Sequence, residues 1–237
     1  MKTRCMYFVP VIMITAIFVG CGPANIAVKP EFWQLKNTTI GVAIVKYPVP
    51  QTYRAGSQGL LDMAINSAAA STLDSYLQKL DLKNFSAVAD TFVSKLRQRG
   101  FTAKRIEGIV DPEKMPAFSS ARSDEKTMDK DFRQLGRQEG VERLILLAID
   151  RCGTIRNYYG FIPLGAPKAF CLCKGHMVNC TSNTIEWFAA TEELTSTVDV
   201  IGDWDQPPAY PNLTQAFPKA MESGIQFLEK DYFDKSK

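Results

Sequence analysis

The chain has 237 residues, 46% of them hydrophobic, and its 28 Lys and Arg against 25 Asp and Glu leave a formal net charge of +3. That apolar content excludes a disordered chain, and so even a balance of charge excludes a surface built for nucleic acid. The length suits one domain with a substantial core, or two small ones.

In chain order, the first feature is an address. Lys2 and Arg4 precede an uncharged apolar run, Met6 to Val19, which Phe18-Val19-Gly20-Cys21 closes with a small residue before a cysteine. An apolar run of about 14 to 16 residues interrupted by Pro10 falls short of the ~20 that cross a bilayer, so residues 1–20 read as a secretory signal peptide. The end of this segment resembles the lipobox of bacterial lipoproteins, in which signal peptidase cuts before the cysteine, a diacylglyceryl group joins its sulfur and an acyl chain its amine. The resemblance implies that Cys21 is the lipidated N-terminus and that the chain meets the membrane through this lipid. Gly22 and Pro23 follow, with no Asp behind the cysteine, so it also implies the outer membrane, with the domain facing the periplasm. Cleavage removes two positive charges and lowers the net charge from +3 to +1.

Residues 21–37 carry Pro23, Pro30 and little periodicity, predicting a tether, and residues 38–237 a single domain. Thr39–Val45 is β-rich and almost continuously apolar, which predicts a strand covered on both faces and ended by Pro48 and Pro50. A polar turn is expected around Arg54-Ala55-Gly56, then a helix from near Ser57 whose stripe of Leu61, Ile65, Ala68, Leu73, Tyr76, Leu77 and Leu80 faces the core. A second helix starts at Asn84 or Ser86, buries Phe85, Val88, Ala89, Phe92 and Leu96, and ends in cations and Gly100.

Phe101–Ile106 reads as an edge strand because of its charge, and Asp111–Thr127 as a mobile loop. A short helix, Asp129–Glu139, stops at Gly140, and Val141–Asp150 is a second strand buried on both faces. An antiparallel run follows over Tyr158–Phe161, Ala169–Cys173, His176–Cys180 and Thr184–Ala190, with turns expected at Lys174-Gly175 and Ser182-Asn183. A helix over Asn212–Phe233 closes the chain. The expected fold is α/β with an α+β tendency: a single domain, a mixed, largely antiparallel sheet with Thr39–Val45 and Leu144–Ile149 central, helices packed on one face, and a C-terminal helix. The short helix ending at Gly140 and feeding Val141-Glu142-Arg143-Leu144-Ile145-Leu146 is similar to a region of TolB N-terminal-like periplasmic α/β modules, a resemblance that implies architecture only.

The chemistry-bearing residues are few. Cys152, Cys171, Cys173 and Cys180 remain after the signal is removed, and an even count in an exported protein points to disulfides. Cys171 and Cys173, two apart on one strand, are not expected to bond each other; one is expected to pair with Cys152 and the other with Cys180. If Lys174-Gly175 turns a hairpin, Cys171, Cys173, His176 and Cys180 share a face, and the alternatives are a Zn²⁺ site on those four or a thiol enzyme using Cys173 and His176. Asp199, Asp203 and Asp205 around Trp204 lack the spacing of a Ca²⁺ loop. Tyr158, Tyr159 and Phe161 form an aromatic patch that reads as a binding lip or as core. No cofactor is implied. With no convergent catalytic set, the reading is a non-enzymatic accessory or assembly factor of the cell envelope that acts through contacts with envelope proteins, a small-ligand or metal-binding lipoprotein being the alternative.

Overall fold

The computed structural model describes residues 24–120, 126–192 and 196–234, so the predicted signal peptide and Cys21 lie outside the described residues. Strands β1 (Thr39–Val45), β2 (Gln51–Ser57), β3 (Thr102–Val110), β4 (Arg143–Tyr159), β5 (Ile162–Asn179), β6 (Ile185–Ala190) and β7 (Thr197–Asp199) form one mixed sheet. The helices are α1 (Leu60–Ala69), α2 (Ser71–Leu77), α3 (Ala87–Gln98), α4 (Arg133–Glu139) and α5 (Pro211–Asp234). The strand order is β3-β1-β4-β5-β6, with β2 also beside β4 and β7 also beside β5. The expected α/β class, the mixed sheet and the C-terminal helix are therefore present.

Two long strands organise the rest. β4 and β5 pair antiparallel from Arg143 opposite Asn179 to Tyr159 opposite Ile162. On its outer side, the first half of β4 takes β1 in parallel and the second half takes β2. The outer side of β5 is shared in the same way, with β6 on one half and β7 on the other. The predicted central strands are central, and the predicted charged edge strand is β3, which among the described residues pairs only with β1.

Alternation along β4 divides the core in two. Ile145, Leu147 and Ile149 join the larger cluster, which holds Leu73 and Leu77 of α2, Val88, Phe92 and Leu96 of α3, and Leu213, Ala220 and Leu228 of α5. Leu144 and Leu146 point the other way, into a smaller cluster with Phe132, Val141 and Leu135 of α4. Gly140 ends α4 with φ 61°, the left-handed cap its sequence predicted.

In the larger core, rings and a few polar groups interlock. Trp187 Nε1 donates to buried Asp231 at 3.0 Å, and the Tyr232 hydroxyl donates to Met177 Sδ at 3.3 Å, so the polar ends of two large side chains are satisfied inside. The Trp187 and Tyr232 rings meet edge to face at 4.8 Å. Arg99, at the end of α3, donates to the Phe233 carbonyl at 2.8 Å and joins α3 to α5.

Four sequence expectations need correction. There is no turn at Lys174-Gly175: β5 runs straight through it, and the Trp187 ring occupies the space where a Cβ on residue 175 would lie. That glycine permits close packing, while the reversals fall at Gly160-Phe161 and at Cys180–Thr184, where Asn183 has φ 62°. The polar turn expected around Arg54 is β2, whose few apolar residues suit a strand at the sheet's edge. The tether over 21–37 is packed from Asn25 onward, since Ile26 pairs with Phe188, and Val28 and Phe32 are buried, Phe32 stacking on Phe101 at 5.1 Å. The loop expected to be mobile is fastened at Ala117 to Lys130 and at Thr127 to Thr184, with 121–125 outside the described residues.

Gly175→Ala should destabilise the fold by about 1–3 kcal/mol, the cost of overpacking a filled core. Chemical denaturation followed by circular dichroism measures it, and the loss should shrink when Trp187→Leu is added to make room.

Candidate functional site

Eight of the twelve large apolar side chains left exposed among the described residues gather at one end of the sheet. There the β4–β5 hairpin turns over at Gly160, which takes φ 59°, and its flanks leave Tyr159 70% and Phe161 61% exposed, with Ile162 and Leu164 more than half exposed beside them. Helix α1 lies against this tip. Asn66, buried on α1, donates to the Gly160 carbonyl at 3.3 Å and to the Gln58 side chain at 2.9 Å, and Gly160 N donates to the Ser57 carbonyl at 2.8 Å. The start of α1 is fixed by Asp62, whose carboxylate accepts from Gly59 N at 2.9 Å.

So braced, α1 turns its apolar residues outward: Leu60 is 85% exposed, Leu61 74%, and Met63 and Ile65 are also exposed. This corrects the expected stripe, of which only Leu73 and Leu77, on α2, are buried. Periodicity gave the helical form of the segment but not its direction, since an outward apolar face and an inward one have the same spacing. The binding lip predicted at Tyr158, Tyr159 and Phe161 is at this tip, with Tyr158 half-buried behind the other two. Exposed apolar residues grouped on adjoining elements mark an interaction surface.

Beside the tip, on the face that carries α2 and α5, a cavity of about 140 Å³ is lined by Arg54, Arg156, Tyr158, Trp204 and Tyr210 among others. Arg54 and Arg156 are register partners on the parallel strands β2 and β4. Neither arginine was visible as a site residue in the sequence, because only the pairing of β2 with β4 brings them together.

The cysteines are differently placed from what was expected. Cys152, Cys171, Cys173 and Cys180 are free thiols, all buried. Cys152 lies opposite Cys171 across the β4–β5 ladder, and the sulfurs of Cys171 and Cys173 are 3.9 Å apart on the α5 side, where Gly224 lets the helix approach Cys173. Cys180 belongs to the opposite core, against Gly136 of α4, so the sheet itself separates it from Cys171 and Cys173 and the pairing expected of it is corrected. Burial pushes the Cys152 thiol up to about 12 and Cys180 to about 11, and the contact with Cys173, together with burial, raises Cys171 further.

His176 follows the same parity. Because β5 does not turn at 174–175, His176 points away from Cys171 and Cys173 and stacks near Phe188, ring centroids 4.7 Å apart. The Zn²⁺ set of Cys171, Cys173, His176 and Cys180 and the Cys173–His176 pair are thus not assembled, and among the described residues no group of three or more His, Cys, Asp or Glu gathers to hold a metal. Asp199 is ion-paired with Lys168 at 2.9 Å, and Asp203 accepts from Asp205 N, an ordinary loop contact. Among the described residues no helix is long and apolar enough to cross a membrane.

No protein-family model and no curated protein matches the chain. Solved structures with a similar chain path include the lipoprotein GNA1162 from Neisseria meningitidis, 10% identical, over 65% of this chain and 80% of that one, with a TM-score of 0.31. A PelC dodecamer from Paraburkholderia phytofirmans is 11% identical over 86% of this chain and 94% of that one, with a TM-score of 0.30. The hypothetical protein CT253 from Chlamydia trachomatis is 9% identical over 82% and 97%, again at 0.30. Likeness at this level has no bearing on function.

Two outcomes follow from the buried titratable groups. Maleimide should leave the four thiols of the folded, reduced protein unmodified and label all four once the chain is unfolded, read by intact mass. Burial, helped by Lys174 and opposed by Asp129 and Asp150, holds the His176 imidazole neutral down to about pH 4, against 6.5 for an unperturbed histidine. Between those values the unfolded chain binds the extra proton, so stability should fall as pH drops from 6.5 to 4. Replacing His176 by Phe should remove on the order of 2 kcal/mol of that fall in urea titrations at the two pH values.

Proposed function

We propose that this chain is an envelope lipoprotein, anchored in the outer membrane through a lipidated Cys21, that serves as a non-enzymatic accessory or assembly factor and docks a partner protein on its apolar end. The observation that carries the reading is the grouping of Leu60, Leu61, Tyr159 and Phe161, large apolar side chains left in water on two elements that brace each other. Preorganisation matters here, because an apolar surface already held in shape loses little further freedom on binding. Aromatic residues at its centre suit a protein partner, as tyrosine and phenylalanine bury much area for few rotatable bonds. The anchor rests on the lipobox-like Phe18-Val19-Gly20-Cys21, and the absence of an assembled catalytic set in the sequence motivates the non-enzymatic role.

The test is site-specific photocrosslinking in cells from position 161. The expected result is one discrete protein adduct that disappears when Leu61→Asp is added on the neighbouring helix, while the melting temperature is unchanged because Leu61 is exposed. Adducts to lipid alone, or a protein adduct indifferent to Leu61→Asp, would show that the surface serves another purpose. Metabolic labelling with an alkyne fatty acid, lost in Cys21→Ser, checks the anchor separately.

A further inference from the structure

The cavity beside the apolar end is built for a small anion. Arg54 and Arg156 sit directly across from each other on parallel strands, an arrangement in which two like charges repel. Folded proteins relieve such pairs with carboxylates, but among the described residues neither guanidinium is in an ion pair. Arg54 Nη2 donates to Thr52 Oγ1 at 3.2 Å, and Arg156 Nε to the Gly165 carbonyl at 2.6 Å. Two acidic groups stand close by without pairing: Asp74 accepts from the amide and hydroxyl of Thr52 at 2.7 and 2.8 Å, and Asp205, on the cavity wall, pairs with neither arginine. Arg54 Nε is moreover shut away from water and has no hydrogen-bond partner. Two guanidiniums that line one cavity with no carboxylate paired to either point to an anion that enters from outside.

The walls refine the ligand. Arg156 lies over the Trp204 ring, its central carbon 4.9 Å from the ring centroid, and 5.9 Å from that of Tyr158. A guanidinium packed over an indole keeps N–H groups free to donate in its own plane, which suits two-point recognition of an oxyanion. Tyr158, Trp204 and Tyr210 offer ring surface alongside. The volume, about 140 Å³, lies below the ~300–1,000 Å³ that accept drug-sized molecules and suits a small ligand.

We propose that Arg54 and Arg156 form the floor of a binding site for a small organic oxyanion, a phosphate or carboxylate borne on a flat ring. The oxyanion bridges the two guanidiniums and lays its ring against Trp204. This site is separate from the docking surface and stands or falls independently of it.

Phenyl phosphate, benzoate, inorganic phosphate and, as a neutral control, phenol are titrated into the folded protein at low ionic strength, with binding read by calorimetry and by tryptophan fluorescence. Phenyl phosphate or benzoate should bind at least about tenfold more tightly than phenol, and which of the two binds better identifies the head group. Arg54→Gln and Arg156→Gln should each weaken that binding by about tenfold or more, whereas Trp204→Leu should weaken the ring-bearing anions and spare inorganic phosphate. Without anion, Arg54→Gln should melt no lower than the parent, since it removes a repulsion and an unpartnered donor. The proposal is overturned if none of the anions binds below about 1 mM, if both Arg→Gln variants bind as the parent does, or if Arg54→Gln melts well below it without anion, which would make Arg54 a structural residue.

Discussion

Everything in this fold hangs on the unbroken pleat of β4 and β5. A strand's side chains alternate between faces for as long as it runs without interruption, so a pair 17 and 18 residues long assigns its neighbours to one core or the other with little latitude. The pair is adjusted only where the ladder bulges, between Ile149 and Arg151 and between Ile155 and Asn157. The first bulge keeps Ile149 and Cys152 on the same side although they are three residues apart.

That constraint explains which features were legible in the sequence. Thr39–Val45 and Leu144–Ile149 could be read directly because strands buried on both faces need continuous apolar residues, and Gly100 and Gly140 marked helix ends because each adopts a positive φ. The site residues were harder. Gly175 looks like a turn and is a packing gap for Trp187, and once that turn is gone His176 changes face and the four-ligand constellation dissolves. One glycine, packed against Trp187 where a turn was expected, puts both His176 and Cys180 across the sheet from Cys171 and Cys173.

The two arginines were hidden for a different reason. Arg54 and Arg156 are 102 positions apart and each is unremarkable where it stands; only the parallel register of β2 with β4 makes them neighbours. The exposed face of α1 was hidden too, because spacing identifies an apolar stripe while burial depends on what the rest of the chain places opposite it. Tyr158, Tyr159 and Phe161 were visible as an aromatic cluster, though not as the outer wall of a braced tip.

The sheet also has a mechanical character. At the base β4 and β5 are flanked by β1 and β6, with β3 beyond β1, but toward the tip, among the described residues, only by β2 and β7, so the sheet is a broad foundation carrying a narrower arm. Hydrogen bonds between strands lie across the strand direction. A pull applied at Gly160 along the arm therefore loads many of them side by side in shear, while a sideways push meets them one after another. Grasped at its tip, the arm would therefore resist an axial pull better than a sideways one.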